Sequence, residues 1–247
     1  MKKNPCISVV FGANGLIGKA IVKALKLKQH TVIEVDIKNK SAKNIFNLDI
    51  TNPKQVDYFF KELNLFVTKQ QTQWSFINCS YPRTANWGNL DFENVSPEEF
   101  NENTKIHLGS TFLLTQYAVK FLKKRDGGAV VNFGSIYGIV GPDLSIYAGT
   151  NMKNPSPYSA IKGGTIGLSR YVATAYGKYN IRCNVVCPGG VFDNQNPKFV
   201  KAYCKKTPLG RMASPEDVAE LSTFLVSAEA SYITGQTIAV DGGWSAW

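Results

Sequence analysis

Short apolar, β-branched runs alternate with longer amphipathic segments along almost the whole chain. CISVVF, TVIEVD, KNIFNLDI, WSFINC, GGAVVNFGS, IRCNVVCPGG and GQTIAVDGG read as strands. Between them lie LIGKAIVKALKLK, PKQVDYFFKELNLFVTK, SPEEFNENTKIHLGSTFLLTQYAVKFLKK, SPYSAIKGGTIGLSRYVATAYGKY and SPEDVAELSTFLVS, with apolar residues at helical spacing. Pro53 suits a first helical turn, where the N–H it lacks would have no partner. Ser-Pro-Glu-Glu and Ser-Pro-Glu-Asp are helix start signals. Strands that are continuously apolar belong to a sheet covered on both faces. The pattern predicts an α/β fold, a Rossmann-like doubly wound parallel sheet in three α/β/α layers, as a single domain over residues 1–247. Ligands of such folds bind beyond the carboxyl ends of the strands.

The residues just past the strands carry the candidate chemistry. Gly12, Gly15 and Gly18 lie between the first strand and the first helix. Glycines there let the backbone turn and approach a pyrophosphate, which the helix N-terminus then faces. Asn14, Leu16 and Ile17 belong to the same loop. Asp36 ends the second strand, where a carboxylate accepts from both hydroxyls of an adenosine ribose and repels a 2′-phosphate. Ile37 follows it rather than an arginine, so NAD is favoured over NADP, with Lys38 as the opposing cation. Asp49, with Ile50 beside it, either contacts the adenine or caps the helix that opens near Pro53.

Size and composition narrow the setting. At 247 residues the chain suits one sizeable core. No apolar run is long enough for a bilayer, and MKKNPCISVVFGANG has too short an apolar stretch for a signal peptide. A cytoplasmic protein is expected. Five cysteines, an odd count without regular spacing, argue against a disulfide framework. Cys183 and Cys187 share a strand-like segment, and only His30 and His107 are available as further imidazoles, so free thiols and no metal are expected. The net charge of +10 is scattered over LKLK, IKNKSAKN and Lys123-Lys124-Arg125. It forms no block interleaved with aromatics. Neither nucleic acid nor membrane is the expected partner, and an anionic small molecule would benefit from the charge.

The most informative short stretch is NPSPYSAIKGG. A phenol with a pKa of about 10 is a poor acid or base at neutral pH, and a nearby ammonium stabilises the phenolate. Residues four apart share a helix face, so Tyr158 and Lys162 can enter one cleft. Of eleven tyrosines only Tyr158 has a lysine four positions on. Ser135, just past an apolar strand in VVNFGSIYG, offers a hydroxyl at the same edge.

These features together resemble the short-chain dehydrogenases/reductases in their single-domain form. The resemblance covers nearly the whole chain through GANGLIG, Asp36, Asp49, INCS, NFGS, YSAIK, IRCNVVCPGG, PLGRMASPEDVAE and ITGQTIAVDGGW. It implies hydride transfer between a nicotinamide and a carbinol or carbonyl carbon, with Tyr158 as general acid/base. Lys162 would bind the nicotinamide ribose and lower the tyrosine pKa. Ser135 would position the substrate oxygen, and Asn78 would support the cofactor loop. Pro188, Gly189 and Val191 would pass beside the nicotinamide. A homotetramer or homodimer is implied as well, with GGWSAW at a subunit contact.

The chain departs from the family's pattern at several places. NCSY replaces the usual Asn-Asn-Ala-Gly, and the glycines read G-x-x-G-x-x-G. Asp193 stands near the place of an expected threonine. His107 takes the place of an asparagine that holds a relay water behind the lysine, so His107 is counted with the catalytic group and Asn103 is a possible substitute. Ser135 and Tyr158 are 23 residues apart, farther than is usual. Segments 136–157 and 189–210 are therefore expected to cover the substrate, with YPRTANWG as a second wall. Arg83, Asn86, Trp87, Tyr147 and Asn151 suit a polar, sugar-like ligand, and Arg83 and Tyr147 are counted as substrate residues with Ser135 and Tyr158. YPR, the insert and PGGVFDNQNPKF resemble the short-chain dehydrogenases of bacterial surface-glycan and flagellin-modification pathways. A cofactor-retaining epimerase or dehydratase, or a non-catalytic nucleotide-sensing scaffold, are the alternatives.

Overall fold

The structure, a computed structural model, describes residues 6–38, 40, 42–65 and 72–247. Its strands are β1 (Cys6–Phe11), β2 (Thr31–Asp36), β3 (Ile45–Asn47), β4 (Gln73–Asn78), β5 (Gly128–Phe133), β6 (Ile181–Pro188) and β7 (Thr237–Val240). All pair in parallel, in the order β3-β2-β1-β4-β5-β6-β7. The order grows outward from β1 in one direction and then from β4 in the other, so the switch point lies between them. Phe11 pairs with Val35 on one side and Asn78 on the other. The three strands thus end level, and the loops that leave them meet.

The helices are α1 (Leu16–Leu27), α2 (Pro53–Leu65), α3 (Pro97–Thr104), α4 (Ser110–Leu122), α5 (Pro157–Tyr176), α6 (Pro197–Lys206) and α7 (Pro215–Val226). Alternate strand residues feed two cores. Val9, Phe11, Val35 and Phe76 join Phe59 and Phe60 of α2, Leu114 of α4 and Val172 of α5. Val10, Val32, Ile77 and Val131 join Ile21 and Leu25 of α1 and Val218 and Leu225 of α7. This two-sided burial is why the strands read as unbroken apolar runs, and it gives the expected three layers.

Several elements differ from the sequence pattern. The single helix predicted over 96–124 is divided. α3 starts with a full capping box, in which Ser96 and Glu99 bond each other's backbone N–H groups. A π-helical turn, Lys105–Gly109, then separates α3 from α4. At this change of pitch Ser110 Oγ donates to Ile106 O (2.5 Å) and Thr111 Oγ1 to His107 O (3.0 Å), so side chains satisfy carbonyls at the irregular turn. β3 is only three residues long, entered from Asn44 at a left-handed φ of 63°. α6 has no counterpart among the predicted helices. It starts at Pro197, with Asn196 Oδ1 accepting from Lys198 N–H at 2.9 Å. The last residues predicted for the second helix, Phe66–Lys69, lie outside the described residues, as do Met1–Pro5 of the opening segment and Asn39 and Ser41 of IKNKSAKN.

Candidate active site

At the switch point the chain leaves β1 through Gly12, whose φ is +77°. A Cβ there would lie 2.8 Å from the Ser80 backbone, and one on Gly18 would lie 2.0 Å from Gly12 O. Neither approach tolerates a side chain. Gly12 and Ala13 N–H donate to Val35 O (2.9 and 3.2 Å), which fixes the loop to β2. α1 begins after Gly15 with no side-chain cap and no acid in its first turn. The N–H groups of Leu16, Ile17 and Gly18 therefore stand at a helix start suited to an anion. Asp36 Oδ2 accepts from Asn14 N–H (3.0 Å) and Oδ1 from Lys38 N–H (3.1 Å), so two backbone donors hold the carboxylate beside the glycine loop.

A cavity of about 550 Å³ runs along this loop and is lined by Gly12, Gly15, Asp36, Asp49, Ile50 and Arg83, among others. Asp49 Oδ1 accepts from Thr51 N–H (2.9 Å) and Thr51 Oγ1 (2.7 Å). Asn52, not Asp49, caps α2, through Lys54 N–H (3.1 Å) and Gln55 N–H (3.3 Å). Asn78 Oδ1 accepts from the Ser80 N–H (3.3 Å) and from the Ser80 hydroxyl, while its Nδ2 donates to Thr111 Oγ1 on α4 (3.4 Å). Asn78 thereby ties Ser80, which packs on Gly12, to the next layer. Arg83 lies on this cavity's wall, its guanidinium 5.5 Å from the Tyr81 ring centre. The small residues and free helix start fit a dinucleotide, with Asp36 toward the ribose end.

Along the same strand ends, Ser135 follows β5, and α5 presents Tyr158 in its first turn and Lys162 one turn later. Ser135 Oγ accepts from Tyr137 N–H at 3.2 Å, and Tyr158 packs on the cluster that holds Ile136 and Tyr137. Lys162 is buried and its Nζ donates to Phe133 O at 3.0 Å and lies 3.3 Å from His107 Nε2. Burial pushes its pKa down to about 8. His107, on the π-helical turn, is pushed down to about 2 by burial and by the Lys162 charge. Burial also raises the Tyr158 pKa, against a smaller lowering by the nearby Ser135 hydroxyl. The expectation that Lys162 lowers the phenol is thus corrected for the protein alone. The ammonium is turned toward Phe133 O and His107, and it stands 5.6 Å from the Tyr158 ring centre.

The Asn103 side chain is committed to its own layer. Its Oδ1 accepts from Thr84 N–H and Oγ1, both at 3.2 Å, and its Nδ2 donates to Glu99 O at 2.9 Å. It pins the segment after β4. In that segment Trp87 is buried and its ring centre lies 6.3 Å from that of Tyr158. Tyr81, which the sequence reading did not single out, stands 4.9 Å from the His107 ring and 6.1 Å from Tyr158. Its place immediately beyond the Asn78 strand end was the available signal.

The insert after Ser135 packs through Ile136, Tyr137 and Ile146 onto Phe199 and Tyr203 of α6. The Tyr147 ring centre lies 5.2 Å from that of Phe199, the rings tilted by 37°. An Asp143–Lys206 ion pair joins insert to helix. Pro188 ends β6, Gly189 N–H donates to Val240 O (2.9 Å), Val191 bridges to Ala213, and Asp193 reaches the cavity. Asn86 is turned to Glu99 (2.6 Å), and Asn151 is exposed. Trp244 stacks on Tyr203 at 4.3 Å, whereas Trp247 is exposed. The five cysteines are free thiols, and no group able to hold a metal occurs among the described residues. No helix among them is long and apolar enough to cross a membrane.

A glycine-loop cleft at a sheet switch point, with a serine, a tyrosine and a lysine at the neighbouring strand ends, belongs to a dinucleotide-dependent oxidoreductase acting on CH–OH groups. The chain belongs to the short-chain dehydrogenase/reductase family. A family model described as Enoyl-(Acyl carrier protein) reductase matches residues 12–245. Post-translational flagellin modification protein A of Campylobacter coli is 34% identical, over 96% of this chain and 97% of that protein. The 7alpha-hydroxysteroid dehydrogenase of Bacteroides fragilis is 31% identical, over 96% and 93%. A short-chain dehydrogenase from Leptospira borgpetersenii, solved with bound NAD+, aligns with TM-score 0.85 and 33% identity over 98% of this chain and 93% of that one.

Proposed function

We propose that the protein interconverts a hydroxyl and a carbonyl on a sugar or sugar derivative of a surface-glycan pathway, using NAD(H) in preference to NADP(H). The reading is carried by Ser135, Tyr158 and buried Lys162, gathered at the same strand ends as the glycine-loop cleft that holds Asp36. Asp36 supports NAD, because a carboxylate in that place repels a 2′-phosphate. The bound NAD+ of the Leptospira relative supports it too. The flagellin-modification relative and the polar residues of the substrate walls support the sugar.

A nicotinamide dinucleotide held by the Gly12–Gly18 loop and Asp36 would supply hydride chemistry at the carbinol carbon. Ser135 holds the substrate oxygen, and Tyr158 Oη takes the hydroxyl proton during oxidation and gives it back during reduction. Lys162 supplies a positive charge beside the ribose end and the phenol, and His107 stands behind it. Segments 136–157 and 189–210 close over the substrate and exclude water, as parts of one domain spanning 1–247. The working form is a homotetramer or homodimer, to which large exposed rings such as Phe112 and Tyr171 are suited.

Tyr158→Phe tests the mechanism. It should bind NADH as the wild type does and lose turnover by at least about a thousandfold, within the range of general acid–base loss. Normal turnover by this variant would remove Tyr158 from the chemistry.

A further inference from the structure

An ammonium buried as deeply as Lys162 needs acceptors. One N–H goes to Phe133 O at 3.0 Å, and a second faces His107 Nε2 at 3.3 Å. The Tyr81 and Tyr158 rings stand 5.5 and 5.6 Å from Nζ, within cation–π reach. The other titratable groups around the pair are Cys187 on β6 and, across the site, the same two tyrosines. None is a carboxylate, so only neutral partners offset burial of the charge.

An ammonium has no lone pair, so the imidazole nitrogen facing it must accept. The ring proton then sits on Nδ1. That nitrogen is buried and has no hydrogen-bond partner among the described residues, and His107 as a whole is 2% exposed. Leaving a buried N–H unpaired is costly. Turning the ring proton toward Lys162 would set two donors against each other, which costs more. A neutral lysine would reverse the roles, with Nε2–H as donor, so the tautomer reports the lysine's charge.

We propose that His107, as the neutral Nδ1–H tautomer, is the acceptor that keeps Lys162 protonated and aligned beside Tyr158, and so sets the alkaline limit of activity without titrating itself. The proposal rests on the reading that Tyr158 and Lys162 serve the reaction. His107 is a positioning residue, since it acts through Lys162. Burial keeps it neutral over the working range.

The test is an NMR titration of the whole, cofactor-free protein, following the His107 ring nitrogens and Lys162 Nζ, with Lys162→Arg to assign the lysine signal. Expected is a ring protonated at Nδ1 and bare at Nε2 from pH 5 to 7, below the Lys162 midpoint. In His107→Phe, which keeps a ring but removes the acceptor, the Lys162 midpoint should fall by about one pH unit, the scale of one hydrogen bond to a charge. In His107→Gln it should recover, and the alkaline limb of kcat/KM should move in step. An Nε2–H tautomer, an imidazolium, or an unmoved Lys162 midpoint in His107→Phe would overturn the proposal. If His107→Phe fails to fold by circular dichroism, the wild-type tautomer alone decides. Wild-type protein that has the expected tautomer but binds no NADH would sink the functional reading and leave the lysine–histidine contact standing.

Discussion

At the scale of a single residue, the proposed cofactor choice rests on Asp36. Two backbone N–H groups hold its carboxylate at 3.0 and 3.1 Å, so it cannot swing away from an incoming ribose at little cost. Asp36→Ala should weaken NADH by about tenfold and narrow or abolish the preference over NADPH, since hydrogen bonds to a charged acceptor are worth that much. Isothermal titration with both dinucleotides checks it, and an unchanged preference would move the selectivity elsewhere. Much of the residue-level site was legible. Tyr158 and Lys162 stand four apart because one helix face must present both, and Ser135 follows an apolar strand because ligands meet strand ends. Tyr81 was legible only as the start of the YPRTANWG wall; its approach to the His107 ring was not, because an irregular segment places it. The direction of the Tyr158 pKa was not legible either, since burial and the turning of the Lys162 ammonium toward Phe133 O are three-dimensional facts.

At the scale of elements, the segment after β4 depends on one buried amide. Asn103 is fully buried and receives both donors of Thr84. Asn103→Ala would leave Thr84 N–H without its partner and should destabilise the protein by about 1–3 kcal/mol. Urea unfolding gives the magnitude, and faster hydrogen exchange at Thr84 than elsewhere would locate it. Uniform loss of protection across the sheet would instead assign Asn103 a global role. Helix existence followed from periodicity and start signals, as Ser96 and Ser214 capping boxes bear out. The π-helical turn escaped because apolar periodicity and a start signal report that a helix exists and not where one added residue shifts its face. α6 escaped because it is short, although Asn196-Pro197 and the Phe199–Tyr203 pair were signals at helical spacing.

For the whole molecule, the sheet order and the two cores follow from strands apolar on both faces, and the glycine loop marks the switch point. The stability of this assembly should carry the mark of Lys162. Its folded pKa of about 8 lies below the unfolded value of 10.5. Below pH 8 both states hold the proton, and the folded state bears the cost of a buried charge. Between pH 8 and 10.5 the folded state has lost a proton that the unfolded state keeps, so this group's contribution to stability rises with pH. Relative to Lys162→Met, the wild type should gain on the order of 3 kcal/mol across that window by urea unfolding. A constant difference would mean that the lysine is not so perturbed.

The most direct test of the account is a fluorescence titration of the purified protein with NADH and then with NADPH. The account predicts saturable NADH binding and at least about tenfold weaker NADPH binding. NADPH preference would contradict the role given to Asp36, and no binding of either dinucleotide would contradict the oxidoreductase itself.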